Sequence, residues 1–416
     1  MRTFISFTEA LDCVLAHASL TGTEFVPLSA VVLRTLAKPV IARDDLPPFA
    51  SSAMDGFAVR TDDFSLDVHR DVRVIDHIAA GDGRSLVVEP GTCMEIMTGA
   101  PFPYGADAVI PIEWVADRQG DNVRFDRIPA PQKHVRPAAE DVQKGAKVFQ
   151  GGERITPAIA GMLASLGMDP VEVRRQPKVR VISTGDEIVP ASSGIGPGQI
   201  RDSNGPSLRA QVVEAGGECK VFDHVPDDPD AIRTVLSDAG DSDILVFSGG
   251  VSVGEHDYVK QVLDEMGAET LFWKVKQRPG KPLAFGRLGS TLFLGLPGNP
   301  VSSAMCFEIY GRALIEAMLG RSSTRTPVLK AKLGRSLRKV EGLHFFTRGI
   351  ATTDATGQLT VVDTGPQGSN LYGSVVMANC IIHLPQHLAE VLAGSLVDIQ
   401  MLPWIGLTPK PETPTA

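Results

Sequence analysis

Four short segments carry residues that could do chemistry. Ser183-Thr184-Gly185-Asp186-Glu187 sets two adjacent carboxylates directly after the strand-like run Val179-Arg180-Val181-Ile182. Oxygen ligands of this kind suit a magnesium ion or its waters, although Gly and Asp also make an ordinary turn. Ser248-Gly249-Gly250 follows Asp-Ile-Leu-Val-Phe and runs on to Asp257-Tyr258. Glycines there let backbone N–H groups approach an anion, and Asp257 also suits a helix N-cap. This stretch fits neither G-x-x-x-x-G-K-[ST] nor G-x-G-x-x-G, so neither nucleotide-loop mechanism applies. Lys274, Lys276, Arg278 and Lys281 bracket Pro279-Gly280, a rigid turn dense in positive charge. Leu296-Pro297-Gly298-Asn299-Pro300 precedes a long helical pattern, and proline at a helix start leaves the first N–H groups available to an anion.

Each segment alone is weak. All four follow strand-like runs, however, and in an open parallel sheet ligands bind where the strands deliver their carboxyl ends. The four loops are therefore expected to meet in one cleft that takes an anion. The chain as a whole carries a net charge of −9, which argues against a general nucleic-acid or membrane-surface binder. The basic turn is then a local concentration of charge within an acidic protein.

The elements that must position these loops can be read from periodicity. From Lys178 onward strands alternate with helices up to residue 325, the pattern of a sheet covered on both faces, with a doubly wound parallel sheet as the expectation. Residues 44–136 are short β-rich runs divided by Gly, Pro and Asp, and residues 326–402 are again β-rich. The first forty residues read as helical, through Ala10 to Val14 and again through Ser29 to Leu36, and helical pattern returns after Pro157. The expected organisation is α/β plus β in several domains. A discontinuous helical and mixed linker comprises residues 1–43 and 137–177, and a β-rich insert comprises 44–136. An α/β domain (178–325), a C-terminal β domain (326–408) and a disordered tail (409–416) complete the chain.

At 416 residues the chain exceeds one ordinary core. Its five cysteines are scattered without a C-x-x-C pair, which fits reduced thiols in a cytoplasmic protein. His383 and His387 have helical metal-pair spacing, but Pro385 between them argues against a shared helix face. No apolar run is long enough to span a bilayer.

Taken jointly, the segments resemble a known family. Ser248 to Tyr258, Arg278-Pro279-Gly280-Lys281-Pro282 and Leu296 to Ser303, in this order, are similar to the molybdopterin-binding domain of MoeA-type enzymes, the family that includes the gephyrin E domain. The likeness extends to Pro47 through Ala58, Met97-Thr98-Gly99-Ala100-Pro101, Val135 through Asp141, Gly368-Ser369 and Ala378-Asn379-Cys380. The resemblance implies a four-domain homodimer whose active site is shared between subunits. It implies an enzyme that inserts molybdate into adenylylated molybdopterin, assisted by magnesium, with release of AMP. Carried over by motif, the functional carboxylates are Asp55, Asp141, Glu187, Asp227 and Asp257, with Glu187, Asp227 and Asp257 on magnesium. Polar and basic roles fall to Thr98, Arg136, Lys274, Arg278, Lys281, Arg348 and Ser369, and substrate contacts to Ser248, Gly249, Gly250, Pro297, Gly298 and Pro300. Phosphates are expected at Lys281, the Gly249-Gly250 amides and the helix after Pro300, and molybdate near Lys274, Arg348 and Ser369. Two departures stand out: Ala50-Ser51 replaces the common Asp-Asn, and Arg278 replaces a lysine, giving a planar fork in place of a point charge. Other readings are the adenylyltransferase step of the same pathway, which the two β domains argue against, a tungstate-specific insertase, and a non-catalytic scaffold. Transient contact with the adenylyltransferase is a further expectation.

Overall fold

The computed structural model describes residues 1–67, 69–250, 258–321, 328–354 and 356–404. Asp257 and the tail expected at 409–416 lie outside the described residues. The centre is a seven-stranded sheet ordered Arg2–Ile5, Glu269–Val275, Ala284–Leu288, Thr291–Leu296, Ile244–Ser248, Val179–Thr184, Phe222–Val225. The last four strands in this order run parallel to one another, so Leu296, Ser248, Thr184 and Val225 all end on one edge. Helices cover both faces. Val181, Val246 and Leu294 pack under Phe7–Ala16, Asn204–Ala215 and the helices from Pro300 to Met318, while Ile182, Phe247 and Phe293 pack under Pro229–Ser237 and Tyr258–Glu265.

The sheet is nevertheless mixed. Ala284–Leu288 runs antiparallel to both neighbours, because Leu288 and Thr291 face each other across a two-residue turn with Gly289 at φ 58°. A connection that short can only reverse the chain.

The N-terminus also corrects the helical expectation. Arg2–Ile5 is a strand paired in parallel with Glu269–Val275, and the helix begins only at Phe7. A reciprocal cap sets that boundary: the Ser6 N–H donates to Glu9 Oε2 at 2.8 Å and the Glu9 N–H donates to Ser6 Oγ at 3.3 Å. Residues 29–36 form no α-helix beyond the 3-10 turn Leu28–Ala30. Their backbone bonds go sideways instead, from the Leu33 N–H to the Ile155 carbonyl and from the Leu36 N–H to the Glu153 carbonyl. Tertiary pairing has overridden local periodicity there. The strand pairs Thr23–Val26 with Val171–Arg174 and Val40–Ile41 with Lys147–Phe149 tie the two halves of this unit around their own core.

Residues 56–125 form a six-stranded sheet with apolar clusters on both faces. A second six-stranded sheet gathers the C-terminal strands, and pairing of His344–Thr353 with Cys380–Leu384 closes it. Its edge strand is Gln277–Arg278, from the basic turn of the α/β unit, paired with His344 and Phe345. Among the described residues no helix is long and apolar enough to cross a membrane.

Phe7 of the first helix meets His344, Phe346 and His383 of this sheet in an aromatic cluster, with Phe7 and His344 ring centroids 5.0 Å apart. Desolvation, with a smaller repulsion from His383, pushes His344 down to about 3, and desolvation pushes His383 down to about 4. Unfolded imidazoles protonate near ~6.5. Between those values the unfolded chain holds more protons, so stability must fall as pH drops below neutrality. The urea midpoint is expected to decrease from pH 7 to pH 5, and less steeply in a His344→Phe/His383→Phe variant. Parallel slopes in the two proteins would remove the histidines as the cause.

Candidate active site

The parallel strand ends enclose a cavity of about 660 Å³. Val179–Thr184 delivers Thr184, Gly185 and Glu187 to it, and Phe222–Val225 delivers Asp227. Ile244–Ser248 delivers Gly249 and Gly250, and Thr291–Leu296 delivers Pro297, Gly298 and Pro300. The convergence expected from the sequence is therefore present for seven of the named residues: Glu187, Asp227, Gly249, Gly250, Pro297, Gly298 and Pro300. Gly250 has φ 66°, and a Cβ on it would overlap Val259, so the loop admits only glycine there.

Two of the amides expected to face an anion are engaged within the protein. The Gly249 N–H donates to the Leu296 carbonyl at 3.2 Å, and the Val301 N–H, in the first turn after Pro300, donates to the Ser369 carbonyl at 3.1 Å. Ser248 is buried behind the wall, where its Oγ accepts from Asn204 Nδ2 at 2.8 Å. Asp202 and Asn204 are cavity residues that sequence reasoning missed. Residues 203–216 read as a helix, and nothing local shows that the pairing of Ile188–Val189 with Ile200–Arg201 folds the preceding turn into the cleft. The only local signal was the run Arg201-Asp202-Ser203-Asn204, polar where a strand meets a helix.

A second cavity of about 520 Å³ lies beside the first and is lined by Arg278, Arg338, Lys339 and Arg348. The two are neighbours across two shared segments. Pro279 lines the second and Pro282 the first, and likewise Gly368 lines the second and Asn370 the first, with Ser369 between. Arg348 is 1% exposed. Its Nε donates to Ser374 Oγ at 3.0 Å and one terminal nitrogen to the Gly368 carbonyl at 3.1 Å. Neither partner is charged. Burial, then repulsion from Arg278, holds its guanidinium down to about 10, and the smaller attraction of Asp363 does not offset them. A buried cation on neutral partners is costly unless an anion joins it.

Lys274 and Lys281 line neither cavity. The Lys274 ammonium lies 4.4 Å from the Trp273 ring centroid and that of Lys281 5.1 Å from Phe4. Asp55 and Thr98 form a third place, on the inserted sheet. The Thr98 N–H and hydroxyl donate to Asp55 Oδ1 at 2.7 and 2.8 Å, and these bonds, the backbone one first, hold the carboxyl below its ordinary range. Arg136 pairs across from Ser51 in a separate two-stranded ribbon, whose Ser52 bonds to Gly99 and Ala100, so this ribbon links Arg136 to the Thr98 turn. The Asp141 N–H donates to the Leu46 carbonyl. None of these four residues lines either cavity.

Fold and site together define a multidomain α/β protein with a carboxylate-lined cleft and an adjoining basic cavity, built for an anionic ligand. Comparison with known proteins narrows this. Residues 5–167 match the MoeA N-terminal region (domain I and II), residues 180–317 a probable molybdopterin binding domain, and residues 330–402 the MoeA C-terminal region (domain IV). The molybdopterin molybdenumtransferase of Haemophilus influenzae is 36% identical over 384 residues, covering 91% of this chain and 94% of that protein. Molybdopterin molybdenumtransferase 2 of Mycobacterium tuberculosis is 35% identical over 383 residues, covering 90% and 94%. The crystal structure of the molybdopterin biosynthesis MoeA protein of Pyrococcus horikoshii superposes with a TM-score of 0.81 at 29% identity, covering 96% of this chain and 99% of that one. The chain belongs to the MoeA family of molybdopterin molybdenumtransferases, transferases of molybdenum-cofactor biosynthesis.

Gly280 sits at the corner of the basic turn with φ 86°, and a Cβ there would overlap the buried Cys306 Sγ. Gly280→Ala is expected to destabilise the protein by about 1–3 kcal/mol, the usual cost of overpacking. Thermal melting measures this, and an unchanged melting temperature would mean the turn moves freely.

Proposed function

We propose that this enzyme inserts molybdenum from molybdate into adenylylated molybdopterin and releases AMP. The carrying observation is Arg348, a buried guanidinium on neutral partners, in a basic cavity that shares the Arg278-to-Pro282 turn with the carboxylate-lined cleft. Molybdate, a tetrahedral dianion, would be held as substrate by Arg348 and Arg278, with Ser369 on the loop between the cavities. The pterin phosphate and its adenylyl group would occupy the larger cavity. Bringing oxyanion and dithiolene together across one shared turn is mainly a positioning task, and proximity supplies much of the rate.

Glu187 and Asp227 fit magnesium as hard oxygen donors on the same cavity. Among the described residues no cluster of three His, Cys, Asp or Glu could hold a metal by itself, so substrate phosphates and water would complete the shell. When bound there, magnesium neutralises charge on the pyrophosphate. The chain's own part is to orient the phosphates against Gly250 and Pro300 and to keep the oxyanion beside them.

Asp55 and Thr98 line neither cavity, which supports a homodimer in which the inserted sheet of one copy completes the cleft of the other. Asp55→Asn and Glu187→Gln variants, each inactive, should then complement when refolded together, restoring up to about a quarter of the sites by random pairing. No recovery in the mixture would place both residues in one subunit's site.

Molybdate-dependent AMP release at fixed magnesium tests the reaction itself. Arg348→Gln is expected to raise the half-saturating molybdate concentration at least about tenfold, the scale of a lost charge-assisted contact. AMP release indifferent to molybdate would overturn the assignment, and tungstate would be the next oxyanion tried.

A further inference from the structure

Among the described residues three buried side-chain oxygens of the larger cavity have no hydrogen-bond partner: Thr184 Oγ1, which as a hydroxyl can also donate, and two that can only accept, Asp202 Oδ2 and Asn204 Oδ1. Asp202 and Asn204 stand on the turn that opens the helix Asn204–Ala215, and both line the cavity. Their side chains are well buried, with Asp202 8% and Asn204 6% exposed. Asp202 Oδ1 accepts the Gly205 N–H at 3.0 Å, and its Oδ2 has no hydrogen-bond partner. Asn204 Nδ2 donates to Ser248 Oγ at 2.8 Å and to the Gly298 carbonyl at 2.7 Å, while its Oδ1 has no partner. A carbonyl can only accept, so the amide cannot turn over without losing the Gly298 bond. Its oxygen is thereby committed as an acceptor.

Buried acceptors without donors are costly, so a ligand complementary to this wall brings N–H groups. The parts of the proposed substrate differ sharply in this respect. Phosphate has no N–H and is repelled by Asp202. Adenine offers an amine beside a ring nitrogen that itself accepts. A 2-amino-4-oxo pyrimidine edge offers N3–H and the 2-amino group side by side, two adjacent donors for two acceptors. We propose that Asp202 Oδ2 and Asn204 Oδ1 bind the N3–H and 2-amino edge of the pterin and so determine which heterocycle the cleft accepts. This rests on the cleft being the molybdopterin site. Ser248 then acts as a positioning residue, holding the Asn204 amide in its committed orientation.

The test uses two fluorescent probes that differ at one position, 6-hydroxymethylpterin and 6-hydroxymethyllumazine, the second carrying a 2-oxo group in place of the 2-amino group. The unaltered protein is expected to bind the pterin at least about tenfold more tightly, the discrimination typical of a site built around a hydrogen-bonding group. In Asp202→Asn the Gly205 N–H retains the amide oxygen, which turns the amide nitrogen toward the ligand. Donor then meets donor. Pterin affinity should fall about tenfold or more, the preference over lumazine should vanish, and AMP binding and melting temperature should stay as in the unaltered protein. Equal binding of the two probes by the unaltered protein would overturn the proposal. So would a parallel loss of pterin and magnesium-dependent AMP binding in Asp202→Asn, which would make the carboxylate a cation ligand. AMP release measured on the same preparations separates the two readings. Turnover without pterin discrimination sinks only this inference, whereas discrimination without turnover sinks only the assigned reaction.

Discussion

The basic turn serves two cavities and two sheets at once, and beside its backbone bonds a buried carboxamide braces it from within. Gln277 is wholly buried. Its Nε2 lies 3.3 Å from the carbonyls of both Pro279 and Gly280, and its Oε1 accepts the Tyr310 hydroxyl. An amide in that position is tolerable only when both its ends are satisfied. The turn is thus fixed to Tyr310, in the most deeply buried helical segment of the protein. Gln277 and Arg278 are also the edge strand of the C-terminal sheet, so the same residues set where that sheet, and Arg348 within it, stand relative to the cleft. Arg348 reaches its cavity because of this seam.

The helical segment itself is unusual in being buried all round, from Val301 to Ile315. It carries two charges inside, Glu308 and Arg312, joined at 2.7 Å, with Glu214 also on Arg312. Desolvation pushes Glu308 up to about 7 in spite of Arg312, so the pair is held rather than favoured by its surroundings. A π-helical turn, Phe307–Gly311, lies where these groups meet. Such turns change which side chains share a face, and here Tyr310 is brought to Gln277. Core packing and site geometry are consequently one problem in this protein.

Charge is arranged with the same economy. Carboxylates line the cleft and cations line the second cavity, a separation that suits the proposed substrate, with phosphates at one end and an oxyanion at the other. The acidic surface elsewhere leaves the arginines of the second cavity as a local attraction for anions. The inserted sheet, with Asp55 and Thr98, stands apart from both cavities.

Much of this was legible in the sequence because it depends on neighbours in the chain. Alternating strands and helices, glycines at strand ends and proline at a helix start depend on residues a few positions apart, and they placed Glu187, Gly249, Gly250, Pro297 and Pro300 on one cleft. The family motifs extended the reading to Asp227, Arg348 and Asp55. Tertiary structure decided what local pattern could not. Residues 29–36 have helical periodicity, yet their N–H groups find carbonyls at 153 and 155. The antiparallel strand Ala284–Leu288, the joining of Gln277 to His344, the unpaired oxygens of Asp202 and Asn204, and the uncharged hydrogen-bond partners of Arg348 all arise from contacts between distant parts of the chain. Periodicity reports which face of an element is apolar. It cannot report which partner covers that face, and burial without a partner, the property that marks this site, exists only once the partners are in place.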